Sequence, residues 1–173
     1  MQVITEEYKK LNMALHEVNA EYGKSGKLSA DPVLHLAKAL HTYDILDYGC
    51  GKSTLQMNRP FKINQYDPAV KKYEALPNPA DIVVCTDVLE HIEPECLEQV
   101  MRHLFELTKK VGFFKIATRP AKKILADGRN AHLIVRPMLW WLKLLDEIGF
   151  GIKENKNEKD QEFDIVVYKK ETM

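Results

Sequence analysis

The sequence predicts an α/β fold built on a mostly parallel sheet. Short apolar runs alternate along the chain with amphipathic helical stripes. The run "DIVVCTD", 81–87, is nearly continuous in apolar residues, as a strand covered on both faces must be. The third observation is "YDILDYGCGKSTL", 43–55, where a strand stops at Asp47 and the chain then discards side chains at Gly49 and Gly51. A turn of that composition lets something approach the backbone closely.

The elements follow in order. Residues 5–22 place Tyr8, Leu11, Leu15, Val18 and Tyr22 on one helical stripe, which "YGKSGK" then breaks with Gly23 and Gly26. Asp31-Pro32 predicts an N-cap and a proline at the first helical position, with the helix running to about His41. Residues 43–47 form a short strand, and the residues after Gly51 are expected to open another helix. "KINQYD", 62–67, is a second strand ending on an acid, and 81–87 is the third. From 94 to 110, Leu97, Val100, Met101, Leu104 and Phe105 make an amphipathic stripe. "VGFFKIAT", 111–118, is the next strand, followed by a basic loop, 119–136. Pro137 starts a helix with Met138, Trp141, Leu142 and Leu145 on one face, and Gly149-Phe150 ends it. The remainder reads as two strands around a polar loop, an antiparallel hairpin. No repeat or linker divides the chain. Residues 1–173 read as a single domain, with a helical segment at 1–42 ahead of a core at 43–173.

Composition narrows the function classes. The 25 Lys and Arg balance 25 Asp and Glu, so no overall field favours nucleic acid or an anionic membrane. The apolar runs are too short to cross a bilayer, and "MQVITEEYKK" lacks the apolar centre of a signal peptide. Cys50, Cys85 and Cys96 have no metal or disulfide spacing. A cytoplasmic protein without a metal centre is expected.

In such sheets ligands bind at the carboxyl ends of the strands, where Gly49 and Gly51 fall. The glycine turn alone reads equally as a tight strand-to-helix connection. Two further features weigh against that reading. Asp67 ends the second strand, where a carboxylate can accept both hydroxyls of a ribose. "TDVLEHI", 86–92, follows the third strand at the same edge. A nicotinamide dinucleotide site fits poorly, because the third glycine of its fingerprint is Thr54 here.

"ILDYGCGKSTL", "QYDP" and "DIVVCTDVLEHI" resemble, in order, the motifs of class I S-adenosylmethionine-dependent methyltransferases. The resemblance spans about residues 20–170 and implies a Rossmann-like sheet with helices on both faces and a reversed last strand. It further implies S-adenosyl-L-methionine as cofactor. Asp47 would then orient the methionine amino group, and Gly49 and Gly51 would meet the methionine and ribose. Asp67 would take the ribose hydroxyls, with Tyr66 and Pro68 beside the adenine. Asp87 and Val88 would line the sulfonium, and Gly23 to Gly26 would close over the methionine carboxylate. Two departures stand out. Ser53 replaces the third glycine, and the 13 residues 68–80 are too few for the helix and strand the family places there. The sheet is thus expected to be shortened between its second and fourth strands, with the adenine either held by apolar contacts such as Leu76 or in a more open, weaker site.

The loop 119–136 holds Arg119, Lys122, Lys123, Arg129, His132 and Arg136 against Asp127 alone. It reads either as a solvated surface or as a pocket for an anionic acceptor, with Arg119 and Arg129 as the binding residues. Candidate bases are His132, on the expected substrate side, His91, and, on a par with His91, Glu90, which reads equally as a solvated residue. Of Trp140 and Trp141, at least one belongs to the core, and Cys50 and Cys85 read as packed. Three functions stay open: a methyltransferase on a small acceptor, a catalytically degenerate binding or regulatory partner of the same fold, and an RNA methyltransferase.

Overall fold

The computed structural model describes residues 2–18, 25–56, 61–158 and 161–170. Residue parity sorts its core. In β1 (Ile45–Tyr48) and β3 (Ala80–Thr86), Ile45, Ile82 and Val84 go to one face, and Leu46, Val83 and Cys85 to the other. Period-two alternation with apolar residues at both phases requires a cover on each side. The first face packs against Val33 and Ala37 of α2 (Ala30–Ala39). The second packs against Val100, Met101 and Leu104 of α3 (Leu97–Leu107) and Trp141 and Leu145 of α4 (Met138–Ile148).

Six strands form one sheet in the order β2-β1-β3-β4-β6-β5, where β2 is Asn64–Tyr66, β4 is Thr108–Ala117, β5 is Phe150–Glu158 and β6 is Glu162–Lys169. The first four are parallel, and β6 runs antiparallel between β4 and β5. The strand order reverses beside β1, so the carboxyl ends of β1 to β4 open on one edge. The switch point lies between β1 and β3. Between β2 and β3 the chain makes only one 3-10 turn, Lys71–Tyr73, and β2 is therefore an edge strand.

Three boundaries differ from expectation. The helix expected at Asp31 starts at Ala30 with Ser29 as N-cap, leaving Asp31 and Pro32 within the first turn, where a missing amide proton loses nothing. Among the described residues after Gly51 there is a 3-10 turn, Thr54–Gln56, and Ser53 just before it takes φ +61°, outside helical geometry. The stripe from residue 94 is a 3-10 turn, Pro94–Cys96, leading into α3. Trp141 is fully buried and Trp140 partly exposed, and all three cysteines are buried thiols.

The N-terminal helix α1 (Glu6–Val18) crosses the open edge of the sheet. Its Tyr8, Leu11 and Leu15 pack on Leu125, Ala131 and Leu133 of the basic loop. Thr5 anchors it: its amide N–H and hydroxyl donate to the two carboxylate oxygens of Glu93 at 2.9 and 2.7 Å. Tyr22, and the side chain of Val18, lie outside the described residues. No described helix is long and apolar enough to cross a membrane.

Candidate active site

The glycine turn is shaped by what touches it. Gly49 has φ +75°, and a Cβ there would stand 2.4 Å from Val88 Cγ2. Only glycine satisfies both conditions. Gly49 N–H and Cys50 N–H both donate to the Tyr66 carbonyl, at 2.7 and 3.1 Å, tying the turn to the end of β2. Gly51 N–H donates to Asp67 Oδ2 and Ala69 N–H to Asp67 Oδ1, each at 2.9 Å. The Asp67 carboxylate thus braces the turn as well as facing the cavity.

That cavity has a volume of about 490 Å³ and lies over the carboxyl ends of the parallel strands. Asp47, Gly49, Gly51, Asp67 and Pro68 line one end of it, with Gly26 beside the turn. Asp87 and Val88 line its middle. Asp87 follows β3 with φ +58°, a conformation costly for a non-glycine residue and the kind of strain that clusters at functional sites. Arg119, Lys122, Lys123, His91 and His132 line the other end, roofed by Ile4, Tyr8 and Asn12.

Burial sets the electrostatics. Asp47 is 3% exposed, and desolvation, with the Asp67 charge second, raises its pKa to about 7. Burial also lowers His91, to about 4, reinforced by His132 alongside. Their rings stand edge to face with centroids 4.7 Å apart. His132 Nδ1 lies 2.6 Å from the Arg119 carbonyl, and its amide donates to Asn130 Oδ1. Glu90 is fully buried, which with the neighbouring Asp87 charge pushes its carboxyl far above the usual range.

Four expectations are corrected. Tyr66 does not line the cavity; it is buried in the core against Tyr48 and His103, because it precedes Asp67 by one residue and so takes the opposite face. Arg129 does not line it either. Its guanidinium pairs with Asp127 at 2.6 Å and lies over the Tyr8 ring, in a separate groove beside Thr5, Glu7 and Glu93. Glu90 is wholly buried rather than solvated. Leu76, 73% exposed, is no adenine contact in this conformation; Pro68 and Ala69 line that end. Gly23 lies outside the described residues. Sequence reasoning missed Tyr8 and Asn12, whose only local signal was the apolar stripe of α1.

No family model matches this sequence, and no curated sequence does. Solved structures do. The chain is similar to the 1,6-didemethyltoxoflavin-N1-methyltransferase of Burkholderia thailandensis with bound S-adenosylhomocysteine, at TM-score 0.67 and 13% identity over 95% of this chain and 90% of that one. The fold is that of class I methyltransferases. A second likeness is the magnesium protoporphyrin IX methyltransferase of Synechocystis PCC 6803 with bound S-adenosylhomocysteine, at TM-score 0.60 and 15% identity over 95% of each chain. The 4+2 cyclase SpnF also shares the fold, at TM-score 0.56 and 11% identity, covering 82% of this chain and 80% of that one. One architecture thus serves unlike chemistries, and function has to be argued from the residues in the cavity.

Proposed function

We propose that this protein is an S-adenosylmethionine-dependent methyltransferase acting on a small, anionic acceptor. The observation that supports this most is the division of the cavity by charge. Asp47, Asp67 and the glycine turn, with Lys27 nearby, lie at β1 and β2, and Arg119, Lys122, Lys123 and His132 at the basic loop, where Glu93 is the acid that also lines the cavity. The cofactor is a cation with a ribose, and its ammonium and hydroxyls are donors that two carboxylates accept. The narrow approach at Gly49 suits a ligand lying against backbone. Asp87 and Val88, between the two ends, would line the sulfonium.

In this reading an acceptor atom attacks the methyl carbon in line with the carbon–sulfur bond. That bond's electron pair returns to sulfur and neutralises it. The protein's part is alignment and exclusion of water, which can supply much of the acceleration. Arg119 and the lysines would hold the acceptor's anionic group, arginine in a bidentate grip. His132 would face the acceptor with an electron pair on Nε2, because the Arg119 carbonyl can only accept and so fixes the proton on Nδ1.

Calorimetric titration with S-adenosylhomocysteine, followed by transfer of a labelled methyl group to a panel of small carboxylates and phosphates, tests the proposal. Binding together with labelling of an anionic acceptor is the expected result. Binding without transfer to any small molecule or RNA would favour the degenerate-partner reading, and no binding would overturn both.

A further inference from the structure

We propose that Glu90, His91 and His132 form a site for a divalent transition-metal ion at the acceptor end of the cavity. Each offers one donor atom, and the three donors lie within 4.8 Å of one another. Two imidazoles and a carboxylate suit Zn²⁺, Mn²⁺ or Fe²⁺. Donors around an ion at about 2.1 Å stand roughly 3.4 Å apart, so the side chains need to close by up to about 1.4 Å.

Two features separate this cluster from a chance grouping. Glu90 is 0% exposed; its Oε1 accepts from Ala117 N–H at 2.9 Å, while Oε2 meets no protein N–H, its side-chain neighbour being the Asp87 carboxyl, another acid. A buried carboxylate oxygen without a donor is costly unless a proton or a cation meets it. The second feature is the His132 ring. With its proton held on Nδ1 by the Arg119 carbonyl, the electron pair sits on Nε2, and this outer hydrogen bond is the kind that fixes a ligating imidazole.

The backbone holds the parts together. Glu90 and His91 share the 3-10 turn Leu89–His91 after β3, and Ile134 N–H donates to the Glu90 carbonyl at 3.0 Å, stitching that turn to the segment bearing His132. Three protein ligands leave coordination positions open, and both histidines line the cavity. An ion there would take the His132 electron pair and itself meet the acceptor, binding its oxygen and lowering the pKa of a hydroxyl, with the anionic group held by Arg119. That use rests on the methyl-transfer reading; the binding of the ion does not.

The test is calorimetric titration of the tag-free full chain with MnCl₂ and with ZnCl₂, together with histidine ring-proton line widths under Mn²⁺. One ion per chain is expected, broadening His91 and His132 before the exposed His35. Glu90→Gln, which keeps the acceptor for Ala117, and His132→Ala should each weaken binding roughly tenfold or more, and His35→Ala should not. If a variant fails to fold, the wild-type line widths decide alone. No saturable binding of either ion, or broadening first at His35, overturns the proposal. S-adenosylhomocysteine titrated into the same sample separates the two readings: cofactor binding without metal binding sinks only this one, and metal binding without cofactor binding sinks only the other.

Discussion

On the proposed function, in which the cofactor's ammonium meets Asp47, cofactor binding is linked to pH. Burial raises its pKa to about 7, so near neutrality the empty site holds a mixture of acid and carboxylate. The cofactor's ammonium favours the carboxylate, and binding below pH 7 must therefore expel a proton. If the pKa in the complex returns to the ordinary range, the apparent dissociation constant scales as 1 + 10^(7 − pH). Affinity for S-adenosylhomocysteine should then rise about eightfold from pH 6 to pH 7.5 and level off above. Calorimetry at pH 6 in two buffers of different ionisation enthalpy should report release of roughly 0.9 proton per cofactor bound. The sign reverses for stability of the free protein. A carboxyl whose folded pKa exceeds its unfolded one stabilises at low pH and loses that contribution as pH rises through 7, by roughly 4 kcal/mol at most. Asp47→Asn should therefore flatten the pH dependence of binding and raise Tm at pH 8 relative to wild type, with little gain at pH 4. An affinity that falls with rising pH, or the same eightfold ratio in Asp47→Asn, would refute this reasoning.

Three further outcomes are expected. Gly49→Ala sets a Cβ against Val88 at a positive φ, and should abolish S-adenosylhomocysteine binding, by calorimetry, while the far-ultraviolet spectrum stays folded. Leu104→Ala empties a fully buried position between α3 and the sheet and should cost about 2–5 kcal/mol in urea unfolding; a loss within error would mean the packing is misassigned. Arg119→Ala should weaken binding of inorganic phosphate to the S-adenosylhomocysteine-loaded protein roughly tenfold, as loss of a charge-assisted pair does, whereas Arg129→Ala should not, since its charge is paired with Asp127. Equal effects from the two arginines would put the anion elsewhere.

Which of these features the sequence revealed follows from how local their causes are. The parallel strands were legible because a strand covered on both faces must be apolar at both phases, as "DIVVCTD" is. Asp47 and Asp67 were legible because each interrupts or ends such a run at the edge where ligands bind. Tyr66 was misread for want of the pleat: one residue along a strand exchanges cavity for core. That no helix opens directly at Gly51 goes with a single dihedral, the positive φ of Ser53, to which a serine gives no clue. Arg129 lost its candidacy to an acid two residues away, held by a turn in which the Arg129 amide also donates to Asp127 Oδ1. The grouping of Glu90 and His91 with His132, and the roof that Tyr8 and Asn12 make, depend on contacts between distant segments, which no local pattern encodes.

The central claim is that one cavity holds the cofactor at its acidic end with its sulfur turned toward the basic one. A crystal structure of the S-adenosylhomocysteine complex tests it most directly. The account predicts the ammonium at Asp47, the ribose hydroxyls on Asp67 at about 2.7–3.0 Å, and the sulfur beside Asp87 and Val88 facing Arg119 and His132. Clear density for the ligand outside this cavity, or a cavity that stays empty at saturating ligand, would contradict it.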